Sequence, residues 1–526
     1  MWTGTPSKNR DYEKGLGRYY SNVYSGSVYN NTTHVFHVWY FRYNMYGYKI
    51  MITITIKNCN VCELSGPAKF TNKLYEMFRI KHPDAWHIMM YSRAKNWDGY
   101  VKYISDYGQF KIGLLNKVYN ECRKMGQKVK IIDNRPPLGV KPVIPTVMGD
   151  KELREVQREA LEKILNNRVG DTPFLICASD LAVNFGKTLV FCGLHQAFKR
   201  KLKTVLLLNS ADLFKQFKKE IPELLPGEKV AFIQGSKCND WGNFNVCMVQ
   251  SLASNISRYQ KFLSEIDMVL IDEADVIDNK TYKTVIQHLY NSRIRVGLSG
   301  TIYMSNQKKK LIHNLNIMSF IGDKVNQIKL SDMIEKGYST PITCKLVYAP
   351  FKYSKDVDYP TEYKEVISDN VKAWKLSLDR TKYNIGRKRL PALIVCKFIG
   401  HCENLYRYYV KHLGNQYNIQ YVHHNTKGRD EILQAFREGK IDILIATTII
   451  SRGQNFPELK YLQNTASMDS NEKSIQILGR LARTHMNKKK AYLDDLQFPG
   501  NYLKRHGNHR RMYYQKEKLK VIRVEG

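Results

Sequence analysis

Short apolar runs punctuate the chain at regular intervals, each four or five residues long, bounded by turn formers and separated by stretches with helical spacing. Between Leu153 and about Phe320 such runs fall at 174–177, 204–208, 229–233, 246–249, 268–271 and 295–298. Continuous apolar runs of this length read as strands buried on both faces of a parallel sheet. A second block, from about Cys344 to Leu493, repeats the pattern at 392–396, 419–422, 443–446 and 461–465. Ahead of both blocks the pattern changes: Ile52, Ile54 and Ile56 alternate with Thr53 and Thr55, as in a half-buried strand. The spacing then predicts a helix over 69–80, a β-hairpin turning at Trp97-Asp98-Gly99 between Tyr91 and Tyr100, and a helix over 114–125. The predicted fold is α/β, with two tandem parallel-sheet domains preceded by a small α+β domain.

Turn chemistry sets the boundaries. Residues 1–50 hold nine tyrosines with many Asn, Gly and Ser, and three readings stay open: a poorly ordered extension, a stretch ahead of a true start at Met51, or an arm whose tyrosines stack on bases. The α+β unit covers 51–134, and a Pro-rich linker covers 135–150, from Pro136-Pro137 through Pro142 and Pro145. The first sheet domain spans 151–335, the second 336–495, and a helical tail 496–526. Between the sheets, Glu335-Lys336-Gly337-Tyr338 places a glycine where a helix would end and a hinge could form.

Charge narrows the partner. The chain has 526 residues, with 83 Lys and Arg against 48 Asp and Glu, a formal charge of +35 spread over every region. Distributed positive charge points to a polyanion held through its phosphates. The 10 cysteines form no disulfide framework, and several sit in apolar runs, as in a reducing, cytosol-like compartment. The pair Cys59 and Cys62 lacks a second pair to complete a zinc site. No run of 18 apolar residues exists and the first residues lack a signal-peptide layout, so a soluble, unexported, cytoplasmic protein away from membranes is expected, and a monomer is taken as its working state.

The candidate chemistry lies in two places. Leu181–Thr188 reads LAVNFGKT, ending in Gly186-Lys187-Thr188 between a strand and a helix. There, backbone N–H groups at a helix N-terminus face phosphates, Lys187 neutralises the β and γ phosphates, and Thr188 ligates Mg²⁺. Leu181 stands where the full pattern G-x-x-x-x-G-K-[ST] has its first glycine. Farther on, Asp272-Glu273-Ala274-Asp275 follows the apolar run 268–271, which puts carboxylates at the C-terminal end of a strand, where α/β sheets place their chemistry. Asp272 suits Mg²⁺ and Glu273 suits the attacking water. The pair of motifs predicts hydrolysis of a nucleoside triphosphate.

From Leu153 onward, the motifs resemble those of superfamily 2 helicases, in their expected order. Gln157 resembles the glutamine that reads adenine. LAVNFGKT, with Asn184 and Gly186, is similar to motif I in a variant form, although bulky Phe185 stands where small residues are usual. Asn209-Ser210-Ala211-Asp212-Leu213 resembles motif Ia, Gln250-Ser251 the next strand-gripping motif, and Ser299-Gly300-Thr301 motif III. Leu393 to Lys397 resembles motif IV, Ala446-Thr447-Thr448 with Gly453 motif V, and Gln476 to Arg483 the motif VI pattern Q-x-x-G-R-x-x-R. Residues three and four apart share a helix face, so Gln476, Arg480 and Arg483 can point into one cleft. The run Asn96-Trp97-Asp98-Gly99-Tyr100-Val101-Lys102, just before the Gln157 region, resembles the N-terminal domain of the phage UvsW-type helicase family.

The resemblance implies two RecA-like domains, ATP and Mg²⁺ as cofactors, and 3′-to-5′ movement on branched or single-stranded DNA, with RNA met in R-loops. Fork regression, junction migration and R-loop removal, within phage-type replication and recombination, are the implied tasks. It assigns catalysis to Lys187, Asp272, Glu273, Arg480 and Arg483, the last as arginine finger. Nucleotide contacts fall to Gln157, Asn184, Gly186, Lys187, Thr188, Gly453 and Gln476, and Mg²⁺ to Thr188 and Asp272. Nucleic-acid contacts fall to Ser210, Gln250, Ser251, Thr447 and Trp97. Two readings of the same architecture stay open, an RNA helicase or remodeller and the motor subunit of a restriction-type translocase; a module that binds without hydrolysis is a third.

Overall fold

A computed structural model describes residues 51–91, 97–235, 241–303, 308–448, 456–469 and 471–526. Two seven-stranded sheets, parallel throughout, dominate the fold. In the first the order is Val230–Ile233, Phe244–Met248, Thr204–Leu208, Met268–Asp272, Ile294–Ser299, Ile176–Leu181, Lys324–Ile328. In the second it is Ile419–Val422, Ile443–Thr447, Ala392–Cys396, Tyr461–Asn464, Ala491–Gln497, Ile342–Tyr348, Lys520–Glu525. The central strands are apolar because helices cover both faces; every residue of Met268–Asp272 and of Ala392–Cys396 is buried.

The predicted strands of both blocks are present, and four more join them. Lys324–Ile328, Ile342–Tyr348 and Ala491–Gln497 escape the apolar-run criterion because Lys, Asn, Gln, Thr or Asp interrupts them. The fourth, Lys520–Glu525, corrects the reading of 496–526 as a helical tail: only Asn501–Lys516 is helical, and the last strand pairs in parallel with Ile342–Tyr348. Its residues are exposed or partly buried and none is fully buried, which suits a sheet edge. The helix is anchored from inside the domain. Arg510, fully buried, donates from Nε to Asp495 Oδ2 at 2.9 Å and from Nη2 to Asp495 Oδ1 at 3.0 Å, and Tyr514 donates to the same carboxylate at 2.7 Å. Its N-terminal N–H groups, on Asn501 and Leu503, end on the buried carboxylate of Glu362 at 2.8 and 2.7 Å.

The N-terminal unit is a four-stranded sheet in the order Gln109–Lys111, Val61–Ser65, Met51–Ile56, Lys128–Asp133, antiparallel across the first three strands, with Ile52, Ile54 and Ile56 turned into its core. The hairpin expected at Trp97-Asp98-Gly99 is not formed from Tyr91. Ala85–Tyr91 is a helix, and Tyr100–Lys102 pairs instead with Arg79–Lys81, so the partner strand lies about twenty residues upstream. This unit is pinned to the first sheet domain by Arg295, whose buried guanidinium donates to Cys59 O and to Asn60 Oδ1, and by Tyr103, which donates to Asn316 Oδ1 at 2.8 Å. Nine cysteines, Cys59 and Cys62 among them, are buried free thiols, and burial pushes the Cys62 thiol up to about 12. No described helix is long and apolar enough to cross a membrane.

Candidate active site

The strand Ile176–Leu181 delivers the phosphate loop, and the helix Lys187–Ala197 receives it. Asn184 at φ 68° and Gly186 at φ 88° turn the loop through left-handed backbone. Phe185, conspicuous in the sequence, points the other way: its ring is wholly buried in the first domain's core, and its N–H donates to Ala182 O at 3.2 Å. The side chain thus anchors the loop from below. Gln157 lies beneath it as well, also wholly buried, donating from Nε2 to Phe185 O at 2.8 Å while its Oε1 accepts the N–H of Arg154 at 3.0 Å. The expected adenine reader therefore does not line the cavity, because its amide group holds the loop carbonyl and caps its own helix. A Cβ on Gly186 would come within 2.6 Å of Gln157 Nε2, so glycine is required both by φ and by space.

A cavity of about 310 Å³ opens above the loop, lined by Asn184, Gly186, Lys187 and Thr188, by Asp272 and Glu273, by Ser299 to Thr301, and by Gln476, Gly479, Arg480 and Arg483. Asp272 ends its strand, and its Oδ1 accepts the N–H of Glu273 at 3.0 Å. Glu273 itself takes left-handed backbone at φ 52°, a tight turn that brings both carboxylates to the cavity wall. Asp275 accepts the Ser299 hydroxyl at 2.8 Å, and Ser299 Oγ in turn accepts the N–H of Thr301 at 3.3 Å. The acidic quartet and the Ser-Gly-Thr turn form one bonded unit.

The second wall comes from the other sheet domain. Gly479, on the helix Asn471–Leu481, has no room for a side chain, since a Cβ there would lie 2.4 Å from Val183 Cβ in the phosphate loop. That approach brings Arg480 and Arg483 into the cavity. Burial pushes the Arg480 guanidinium down to about 9, with Arg483 adding repulsion and Glu273 and Asp212 opposing. Burial likewise pushes Arg483 down to about 10, against the pull of Glu220. Two desolvated cations beside Lys187 give the cavity a charge that polyphosphate would relieve.

Thr188 and Asp272 supply the oxygen donors expected for Mg²⁺. The described residues hold no group of three or more His, Cys, Asp and Glu able to bind a metal by themselves. A donor set of one hydroxyl and one carboxylate fits Mg²⁺, which keeps few protein ligands and fills its shell with phosphate and water oxygens. Glu220 was not singled out in the sequence, yet its Oε2 accepts the Thr188 hydroxyl at 3.2 Å and its Oε1 accepts from Gln216 Nε2 at 2.8 Å. The signal available was its place one helical turn after Gln216 on Ala211–Leu224. Lys151, just ahead of the helix Glu155–Leu165, also lines the cavity.

The proposed nucleic-acid residues are more scattered. Ser210 caps the helix Ala211–Leu224, its Oγ accepting the Leu213 N–H at 3.4 Å. Exposed Gln250 lies beside it, donating from Nε2 to Asn209 O at 3.2 Å. Ser251 is buried and accepts the Gly235 N–H at 2.7 Å, which makes it a loop brace. Thr447 ends a central strand of the second sheet and is buried. Trp97 sits apart in the N-terminal unit, half-buried, donating to Tyr100 O at 2.8 Å and meeting the His82 ring edge-on. Gly453 lies outside the described residues.

Comparison with known proteins gives the same frame. Residues 150–304 match the family described as Type III restriction enzyme, res subunit, and residues 380–485 match the helicase conserved C-terminal domain. A protein designated helicase 22 in Sulfolobus islandicus filamentous virus is 24% identical over 322 residues, covering 57% of this chain and 56% of its own length. The chain thus spans little more than half of that relative. The ATP-dependent DNA helicase uvsW of Enterobacteria phage T4 is 20% identical over 478 residues, covering 82% of this chain and 90% of its own. Among solved structures, the ATP-dependent Type ISP restriction-modification enzyme LlaBIII bound to DNA aligns with a TM-score of 0.54 at 11% identity, over 77% of this chain and 34% of that one. That likeness is one of fold.

Proposed function

The chain belongs to the superfamily 2 helicases, and from that premise we propose that it hydrolyses ATP to drive movement on DNA, with branched DNA as its working substrate. The observation that carries hydrolysis is that Lys187, Thr188, Asp272 and Glu273 from one sheet domain and Gln476, Arg480 and Arg483 from the other line one cavity. Lys187, first residue of its helix, sets its ammonium and the helix N-terminus against the β and γ phosphates. Glu273 orients the attacking water and takes its proton. Arg480 and Arg483 face the charge that spreads over the transferred phosphoryl oxygens, a contribution of about 10³–10⁵ in rate for such fingers. Mg²⁺, held by Thr188 and Asp272, would neutralise phosphate charge when bound. Because the finger and the loop sit on different domains, hydrolysis is tied to their closure, and closure to a step along the strand.

DNA is favoured over RNA by the extended match to a DNA helicase, which reaches beyond the span of the two family matches. The preference for junctions rests on the resemblance around Trp97. The test is ATPase activity with forked DNA, single-stranded DNA and RNA, alongside Lys187→Ala. Stimulation that is highest on forked DNA and abolished by the substitution is expected; stimulation by RNA alone would overturn the DNA reading. A second reading, the motor of a restriction-type translocase, is favoured by the match of residues 150–304 and would show itself as ATP-driven movement on unbranched duplex with no preference for forks.

A further inference from the structure

The connector between the two sheets is bonded to both walls of the cavity at once. It leaves the helix Leu330–Glu335 through Gly337, whose N–H donates to Ile334 O at 3.0 Å, while the Tyr338 N–H donates to Met333 O at 2.8 Å. The next three residues then change partners in sequence. Asn184, in the phosphate loop, donates from Nδ2 to Tyr338 O at 3.2 Å and approaches Ser339 Oγ at 3.5 Å. Thr340 donates twice to the end of the motif VI helix, from N–H to Ala482 O at 2.7 Å and from Oγ1 to Arg483 O at 2.9 Å. Those carbonyls follow the last residue of Asn471–Leu481, where helix geometry leaves C=O groups without partners. Ser339 and Thr340 are both buried, so these bonds are sheltered from water.

We propose that Tyr338–Thr340 is a positioning strap that fixes Arg483 relative to the phosphate loop, with Thr340 as the residue that sets the finger's backbone. The inference rests on the ATPase reading above and goes beyond it by naming how the two walls are kept in register. The strap has a second grip on the same loop: the Arg154 guanidinium lies over the Tyr338 ring at 5.0 Å, and Arg154 caps the helix whose Gln157 holds Phe185 O. On its other side Gly337 sits at φ 76°, with no atom within 4 Å of where a Cβ would stand, so it is the backbone angle and not crowding that calls for glycine there. A finger displaced by about 1 Å loses on the order of 10²-fold in rate while the nucleotide is still held by Lys187 and the helix N-terminus.

The experiment compares Thr340→Val, Thr340→Ser and wild type in DNA-stimulated ATPase, with nucleotide affinity measured separately by a fluorescent ADP analogue. Valine keeps the shape and loses the hydroxyl; serine keeps the hydroxyl. The expected result is a kcat lowered roughly ten- to hundredfold by valine, restored to within about threefold by serine, with KM and analogue affinity within about twofold of wild type. Arg483→Ala supplies the decisive background: if the strap acts through Arg483, Thr340→Val adds little to it. Unchanged kcat in Thr340→Val, an equal loss in the serine variant, or full additivity with Arg483→Ala would each overturn the strap. Absence of ATPase in the wild-type protein would instead sink the ATPase reading on which it rests.

Discussion

Glu220 Oε2 accepts the hydroxyl proton of Thr188 at 3.2 Å, from a helix that sequence motifs mark only at its beginning. A hydroxyl that gives its proton to a carboxylate keeps its lone pairs for another donor or a cation. Glu220 also counters the charge of Arg483 across the cleft. It is therefore placed to orient the proposed Mg²⁺ ligand and to hold a cation in one stroke, as outer-shell partners do.

Glu220→Ala should weaken Mg²⁺-dependent nucleotide binding by roughly 10- to 100-fold. Glu220→Gln, which keeps an acceptor for Thr188, should lose less. Titrating a fluorescent ATP analogue with and without Mg²⁺ separates the two: the loss should appear only in the presence of the metal. Equal weakening in both conditions would mean that Glu220 merely supports the helix.

Gly479 predicts a steric switch. Its missing side chain lets the motif VI helix come against Val183, where a Cβ would lie 2.4 Å from Val183 Cβ. Gly479→Ala should hold the two walls apart and lower kcat by roughly 10²-fold or more while leaving nucleotide affinity within a few-fold, because Lys187, Thr188 and the helix N-terminus that hold phosphate stay in place. Val183→Ala in the same chain should recover part of the rate. A rate that stays low in the double variant would locate the damage in the helix itself.

Much of this was legible in the sequence, and the exceptions share a cause. Buried strands announce themselves as apolar runs, so 204–208 and 392–396 are placed to the residue. Strands broken by polar residues do not, which is why Lys324–Ile328 and Lys520–Glu525 were invisible. The Asp-Gly turn at Gly99 is real, with φ 77°, but a turn does not say which strand answers it. At the site, residues that touch phosphate carry a pattern, whereas those that hold the loop from beneath do not. Phe185 looked out of place because its role is to fill the core under the loop, and that is a property of the third dimension.

His401 sets an acid limit on stability. It is fully buried, its Nδ1 lies 2.9 Å from Tyr363 OH, and burial pushes its imidazole down to about 3 from 6.5. Between those values the unfolded chain binds a proton that the folded chain refuses, so stability falls as pH drops below about 6.5 and continues to fall toward 3. The slope from this one group approaches about 1.4 kcal/mol per pH unit. Denaturant unfolding between pH 7 and pH 5 should show it, and His401→Asn should flatten the dependence by about that amount whatever it does to stability at neutral pH. An unchanged slope would exclude His401 as the titrating group.

Gln157 offers the sharpest choice between what the sequence suggests and where the residue lies. A glutamine that reads adenine confers base preference, so losing it should lower turnover of ATP more than of GTP. A glutamine that holds Phe185 O and caps its own helix acts on the phosphate loop, which every nucleoside triphosphate uses alike. With Gln157 wholly buried, Gln157→Ala leaves the buried Phe185 carbonyl without its partner, a loss of about 1–3 kcal/mol, and also removes the cap on the Arg154 N–H. The expected result is a lower melting temperature together with reduced turnover of ATP and GTP in equal proportion. A selective loss with ATP would return Gln157 to the base, and would require the amide group to leave Phe185 when nucleotide binds.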